Sequence, residues 1–364
     1  MPSPGSRRVE EFDGDRLSLA RLLRGYTKTE LAEKVGLSAA AMTQFERGVI
    51  RPRPEVLVSL AFVLQVPAEF FSTRPGTTRI SEHEFHFRRL RSSRKIDRAR
   101  VLARTTLLAE LVTELEKYVV FPTVRIPTEF ALPADEPEWR LVIERTAQEI
   151  RSAWSLGEGP ISNMVWLLET KGCIVTRLRA DSEDIDAFSG WWRDRPYVVL
   201  ASDKSDAARS RFDAAHELGH FVLHPDPDPT NRLFEVQAHL FASAFLMPAP
   251  AIARELPPVV DLHSYVDLKS RWKVSLQALF RRATDVGRMT TAQYRRAMTV
   301  LSARGWRMSE PGDAGVIESP VLMNAALDRV LEERGINLAG LAARIHLGRD
   351  DTEALFADSA AVAS

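Results

Sequence analysis

The stretch RFDAAHELGHFVLHPD, residues 211–226, sets His216 and His220 four positions apart, with Glu217 directly after the first histidine. On a helix this spacing points both imidazoles from one face toward a single metal ion. Glu217 then lies beside them, where its carboxylate can hold a water without ligating. The trio suits hydrolysis: zinc lowers the pKa of a bound water to about 7, while the carboxylate takes its proton and hands it to a leaving amine. Zinc needs a third protein ligand, with one position left open. Four residues compete for that place. Asp226 lies six after His220, but its loop would need glycine at 223, where leucine stands. His224 continues the four-residue series, yet three turns of straight helix diverge from one ion, so it is better suited to a supporting or exposed role. Glu235 and His239 lie on the next helix, RLFEVQAHLFASAFLMP. A helical hairpin would turn Glu235, in the first turn, back toward the histidines, which favours it. His239, one turn along, could orient a ligand.

The elements that must position these residues follow from periodicity and punctuation. EPEWRLVIERTAQEIRSAWSL carries Trp139, Ile143, Ile150 and Trp154 on one stripe, an amphipathic core helix. A short helix over 161–171 stops at Gly172 and leads to a strand at 173–178; two more strand patterns surround Phe188 with Trp191 and fill RPYVVLAS. Two helices around the quoted stretch follow, and residues 264–304 are helical again, an α+β arrangement. Cys173, the single cysteine, excludes an intramolecular disulfide and a cysteine-rich zinc site. In the apolar run GCIVTRL it reads as a buried strand thiol. The opening MPSPGSRRVEEFDGD lacks the apolar core of a signal peptide, and no stretch reaches membrane-span length, so a cytoplasmic protein without membrane contact is expected.

RFDAAHELGHFVLHPD followed by EVQAHLFASAFLMP resembles the ImmA/IrrE family of metallopeptidases. GCIVTRL, DAFSGWW and RPYVVLAS upstream, and LKSRWKVSLQALFRRA with ARGWRMSEP downstream, are also similar to that family. Together they cover roughly residues 139–311. The resemblance implies a zincin-like fold with Zn2+ on His216, His220 and Glu235, Glu217 as base, and a protein substrate, often a helix-turn-helix repressor. His239 stands where Asn or Asp is usual and Ala244 where an acidic residue is common; neither is a ligand position. His224, Tyr197 or the backbone of an edge strand could serve the oxyanion, and an extended substrate could add as a strand beside residues 185–201.

The net charge of zero conceals an asymmetry. Residues 1–104 hold 20 Lys and Arg against 12 Asp and Glu, a net of +8, on a body of −8. A polyanion partner for that third is implied. Within it, TKTELAEKVGLSAAAMTQFERGVIRP has helix-turn-helix spacing: a first helix from Thr27 turning at Gly36, and a second from Ser38 that could enter the major groove. Leu31, Ala32, Val35, Leu37, Met42 and Phe45 take apolar positions. Ser38 opens the reading helix, and Ala39, Ala40, Thr43, Gln44 and Arg47 face outward. Gln44 could read adenine and the two alanines could approach thymine methyls; Lys28, Thr29, Arg51 and Arg53 suit phosphates. The stretch resembles XRE-type, Cro/repressor-like DNA-binding domains over all five expected helices. The arginines at 88–104 could extend the phosphate footprint or face solvent.

The expected organisation is multidomain. A mobile tail (1–14) precedes an all-α XRE-like domain (15–72) and a basic helical linker (73–134). An α+β zincin-like metallopeptidase domain (135–310) and a helical C-terminal region (311–364) follow; LAARIHLGRDDTEALF within the latter suits packing or dimerisation. The function expected is a DNA-binding transcription regulator with a zinc-dependent endopeptidase, working as a homodimer on double-stranded DNA. The alternative is a regulator whose peptidase-like domain senses a metal or ligand without cutting.

Overall fold

A computed structural model describes residues 12–72, 94–128, 130, 132–134, 138–178, 187–202, 206–226, 228, 231–259, 261–307 and 309–357. Most of the anticipated N-terminal tail, and the arginines at 88, 89 and 91, lie outside the described residues. Among the described residues, no single helix is long and apolar enough to cross a membrane.

The N-terminal unit comprises α1 (Gly14–Leu23), α2 (Lys28–Lys34), α3 (Ala39–Glu46) and α4 (Pro54–Leu64). The expected fifth helix is a single 3-10 turn, Ala68–Phe71, four residues being too few for an α-helix to gain from its hydrogen bonds. Local chemistry sets the starts. Asp13 caps α1; Thr27 and Glu30 form a reciprocal capping box on α2; Ser38 accepts from the Ala41 N–H to open α3. Leu17, Leu31, Met42, Leu60, Leu64 and Phe70 close the core. Arg21 bridges Glu46 at 2.5 Å, fixing α3 against α1.

The helix α5 (Lys95–Leu115) is no solvated linker: Val101, Leu107, Leu108, Leu111 and Leu115 are buried in the same core as α1. Arg16 of α1 reaches Glu110 of α5 at 2.5 Å and lies over the Phe70 ring. The C-terminal helices α14 (Leu322–Arg334), α15 (Leu338–Arg344) and α16 (Arg349–Ala357) join that core through Met323, Val330, Leu341, Ile345 and Phe356. Arg24 holds Asp351 of α16 with two 2.6 Å hydrogen bonds.

A three-stranded sheet divides this core from a second one. It contains β1 (Ile174–Leu178), β2 (Ala187–Trp192) and β3 (Arg195–Ala201) in the order β1-β3-β2, with β1 parallel and β2 antiparallel to β3. Strand side chains alternate between faces. Tyr197 and Val199 join the N-terminal core, whereas Val198 and Leu200 pack beneath α8 (Ala207–Leu223). Around α8 stand α6 (Glu138–Ala153), α7 (Met164–Thr170), α9 (Arg232–Leu246), α10 (Ala249–Glu255), α11 (Leu262–Trp272), α12 (Leu276–Asp285) and α13 (Thr291–Ala303). Trp139, Ile143 and Ile150 of the expected stripe are buried, and Trp154 is partly so. Gly172 ends α7 at φ +90°, where a Cβ would lie 2.6 Å from the Val124 backbone, so only glycine fits the stop.

Candidate metal centre and nucleic-acid interface

Buried along most of its length, α8 is held rigidly between sheet and helices. Asp206 caps its N-terminus, accepting from the Arg209 N–H. Asn231 caps α9 in the same way, through the Leu233 N–H. Two buried arginines then tie down the far end of α9. Arg151 of α6 donates to the Phe245 carbonyl at 2.7 Å, and Arg282 of α12 donates to the Met247 carbonyl at 2.8 Å while pairing with Glu144. At their closest approach α8 and α9 touch backbone to backbone, because Gly219 faces Ala238.

This hairpin brings His216, His220 and Glu235 together. His216 Nε2 and His220 Nε2 are 3.2 Å apart; Glu235 sets its Oε2 3.5 Å from the first and its Oε1 3.5 Å from the second. A tetrahedral zinc ion with bonds of about 2.0–2.1 Å spaces its ligand atoms by about 3.3 Å. The Nε2–Nε2 distance and each imidazole–carboxylate contact are close to that spacing, one ligand atom from each residue lies within 4.8 Å of the others, and two imidazoles with a carboxylate are a donor set that zinc accepts. Burial pushes the Glu235 carboxyl upward, but its contacts with the His216 and His220 imidazoles outweigh it and hold the group below the ordinary carboxylate range. A negative charge is thus present where a cation would sit.

Of the residues weighed as third ligand, Asp226 is exposed at the end of α8, away from this cluster. His239 lies 4.7 Å, ring to ring, from Phe212 and 6.4 Å from His216, on the wall of the adjoining cleft. His224 is buried and reaches the outer nitrogen of His220, Nδ1 to Nδ1 at 3.2 Å. The supporting role expected of either His224 or His239 therefore falls to His224. Burial pushes its imidazole down to about 3, so it is neutral.

Glu217 is buried on the sheet side of α8, and its Oε2 accepts a 2.6 Å hydrogen bond from Ser189 Oγ of β2. Sequence reasoning missed Ser189. A lone hydroxyl in the otherwise apolar AFSGWW was the available signal, since a buried serine needs a partner. Of the candidate oxyanion donors, Tyr197 faces the opposite side of the sheet from α8, and His224 is turned toward His220 and Gln237. A cleft of 1210 Å³ opens beside His216 and Glu235, walled by Phe212, His239, Gln277, Arg281 and Tyr294 among others. None of the described residues 187–201 lines it.

The second helix of the pair, α3, leaves Ala40 and Gln44 exposed, as is Arg47 at its end, with Ala39 and Thr43 partly so. Thr43 Oγ1 bonds back to the Ala39 carbonyl, which leaves Gln44 and Arg47 as the long polar groups on this face. Ser38 Oγ serves the helix cap. Thr29, Arg51 and Arg53 are exposed beside α3, whereas Lys28 leans on Glu46 at 3.3 Å.

Comparison with protein families gives two matches. Residues 17–71 match the helix-turn-helix family, and residues 168–284 match the peptidase M78 family, described as the IrrE N-terminal-like domain. No curated protein matches the chain. The second span holds the sheet, α8 and α9, and with them His216, Glu217, His220 and Glu235. The chain therefore carries a segment similar to helix-turn-helix domains followed by one similar to the IrrE N-terminal-like domain.

Proposed function

We propose that the protein is a DNA-binding transcription regulator carrying a zinc-dependent endopeptidase, and that it cuts a repressor or another regulatory protein. The observation that carries this reading is the triangle of His216, His220 and Glu235 with a buried carboxylate, Glu217, on the same helix. Bound zinc would polarise a peptide carbonyl and acidify a water. The chain's own groups do the rest. His216, His220 and Glu235 hold the ion, with Glu235 already ionised. Glu217 takes the water's proton and returns it to the departing amine. Ser189 donates to one Glu217 oxygen at 2.6 Å and so fixes the orientation of the carboxylate. The cleft beside His216 and Glu235 receives the substrate segment.

On the DNA side, a homodimer would set two copies of α3 one helical turn apart on duplex DNA. Gln44 and Arg47 would reach base edges; Thr29, Arg51 and Arg53 would hold phosphates, with Lys28 and Ser38 at the rim.

The alternative, a metal or ligand sensor that cuts nothing, has one observation in its favour. The helix-turn-helix core runs without a break into the back face of the sheet, through Phe188, Tyr197 and Val199, and α8 lies on the front. Altered packing at α8 has a physical route to the DNA-binding unit. Glu217→Gln separates the two. For an endopeptidase, cleavage of a co-purified repressor stops while zinc and DNA affinity persist. For a sensor, no cleavage is found in either protein and zinc removal changes DNA affinity.

A further inference from the structure

His224 and Gln237 both lie outside the metal triangle, yet both are buried and in line with it. His224 ends α8, its N–H bonded to the His220 carbonyl at 2.9 Å, so its ring folds back over the last turn. The ring stacks on Phe234 of α9 at 4.0 Å, with 13° between the planes. Its Nδ1 is 3.2 Å from His220 Nδ1 and its Nε2 is 2.9 Å from Gln237 Oε1. Phe234 and Gln237 flank Glu235, so one turn of α9 supplies a ligand and also steers the support of another.

We propose that Gln237 and His224 form a relay that fixes the tautomer of His220, so that its Nε2 lone pair faces the metal position. The inference rests on the metal-centre reading above. Its logic is proton by proton. Gln237 Oε1 can only accept, so His224 Nε2 carries the hydrogen of that contact. A neutral imidazole has one N–H, so His224 Nδ1 is an acceptor. The hydrogen between the two Nδ1 atoms then belongs to His220. His220 Nε2 is left bare, toward His216 and Glu235, as a ligand must be. A Gln237 amide turned the other way would reverse each hydrogen in the chain. It would leave an N–H on His220 Nε2, which cannot bind metal. The orientation of one neutral side chain thus sets the competence of the site before any ion arrives. Such outer partners alter metal affinity by about 10–100-fold when lost.

The test uses the full-length protein labelled with 15N-histidine. In the metal-free wild type, long-range nitrogen–proton correlations are expected to show His220 protonated on Nδ1 and His224 on Nε2. Zinc affinity, measured against a competing chelator, is expected to fall about 10–100-fold in Gln237→Leu and in His224→Phe, which keeps the stack on Phe234. Gln237→Glu retains an acceptor and is expected to lose less zinc affinity than Gln237→Leu. His220 found protonated on Nε2 in the wild type would overturn the relay, as would undiminished zinc affinity in Gln237→Leu. If His224→Phe does not fold, the two Gln237 variants and the wild-type tautomer decide. A wild type that binds no zinc refutes the metal centre instead, and the tautomer of the metal-free protein still decides the relay.

Discussion

Gly219→Ala is expected to injure the metal site through the backbone, without touching any ligand. A Cβ at this position would lie 3.1 Å from the Cα and O of Ala238 and from Phe241 Cδ1. Carbon contacts relax at about 3.5–4.0 Å, so the neighbours must yield by a few tenths of an ångström. Two of the three atoms are backbone and cannot rotate away, so α9 has to move as a unit. Alanine in a helix interior gains about 1 kcal/mol over glycine, while overpacking costs about 1–3 kcal/mol. The net stability change is therefore small, up to about 2 kcal/mol of loss. The functional effect is larger. Glu235 sits on α9 one turn before Ala238, and its oxygens already stand 3.5 Å from both imidazoles. Moving it outward by a few tenths of an ångström takes up most of the roughly 0.5 Å tolerance of a preorganised site. Zinc affinity is expected to drop about tenfold or more, read by chelator competition, while the metal-free protein keeps a thermal midpoint near that of wild type. Equal zinc affinity in the two proteins would refute the claim that this helix contact sets the position of Glu235.

Three further outcomes are expected. Burial raises the Glu169 carboxyl to about 7, against which the N–H groups of Val321 and Leu322 pull it down. A carboxyl raised in the fold contributes stability that is complete below its ordinary value near 4.5 and is lost as pH climbs through 7. Glu169→Gln is therefore expected to be less sensitive by roughly 2–3 kcal/mol between pH 4.5 and 8 in urea unfolding, and parallel pH profiles would contradict this. Asp351→Asn breaks the two-bonded pair with Arg24, worth about 1 kcal/mol at this part-buried position. Faster amide exchange in α16 and in the Gln65 turn is the measurement, and unchanged exchange counts against a C-terminal clamp on the helix-turn-helix unit. On DNA, Gln44→Ala is expected to relax preference at one base pair by about 1–3 kcal/mol, whereas Arg53→Ala weakens all sequences and lowers the salt slope by about one. The reverse pattern would exchange their roles.

What was legible in the sequence was mostly local. Ser38 announces the start of α3 within four residues of itself and caps it as read, and Thr27 stands where the first helix was expected to begin; the Asp13 cap on α1 and the Glu30 side of the capping box were not read. The four-residue spacing of His216 and His220 likewise needs only a helix to place both rings together. Glu235 required one further step, the turn of a hairpin, and the structure brings it to the same point. The residues that were missed act across elements. Ser189 meets Glu217 only because β2 lies beneath α8, and Gln237 meets His224 only because α8 and α9 pack in one register. The basic linker and the C-terminal region read as separate pieces because their apolar faces carry no mark of a partner. In the fold, α5 and α14–α16 complete the core of the helix-turn-helix unit.

Metal stoichiometry tests the centre most directly. The full-length protein, equilibrated with zinc and passed through a desalting column, is measured beside His216→Ala/Glu235→Ala by elemental analysis. One zinc per chain in the wild type, and none in the variant with DNA binding kept, is the result a His216–His220–Glu235 centre requires. A wild type without zinc, or a variant that retains it, would contradict a metal centre built from these three residues.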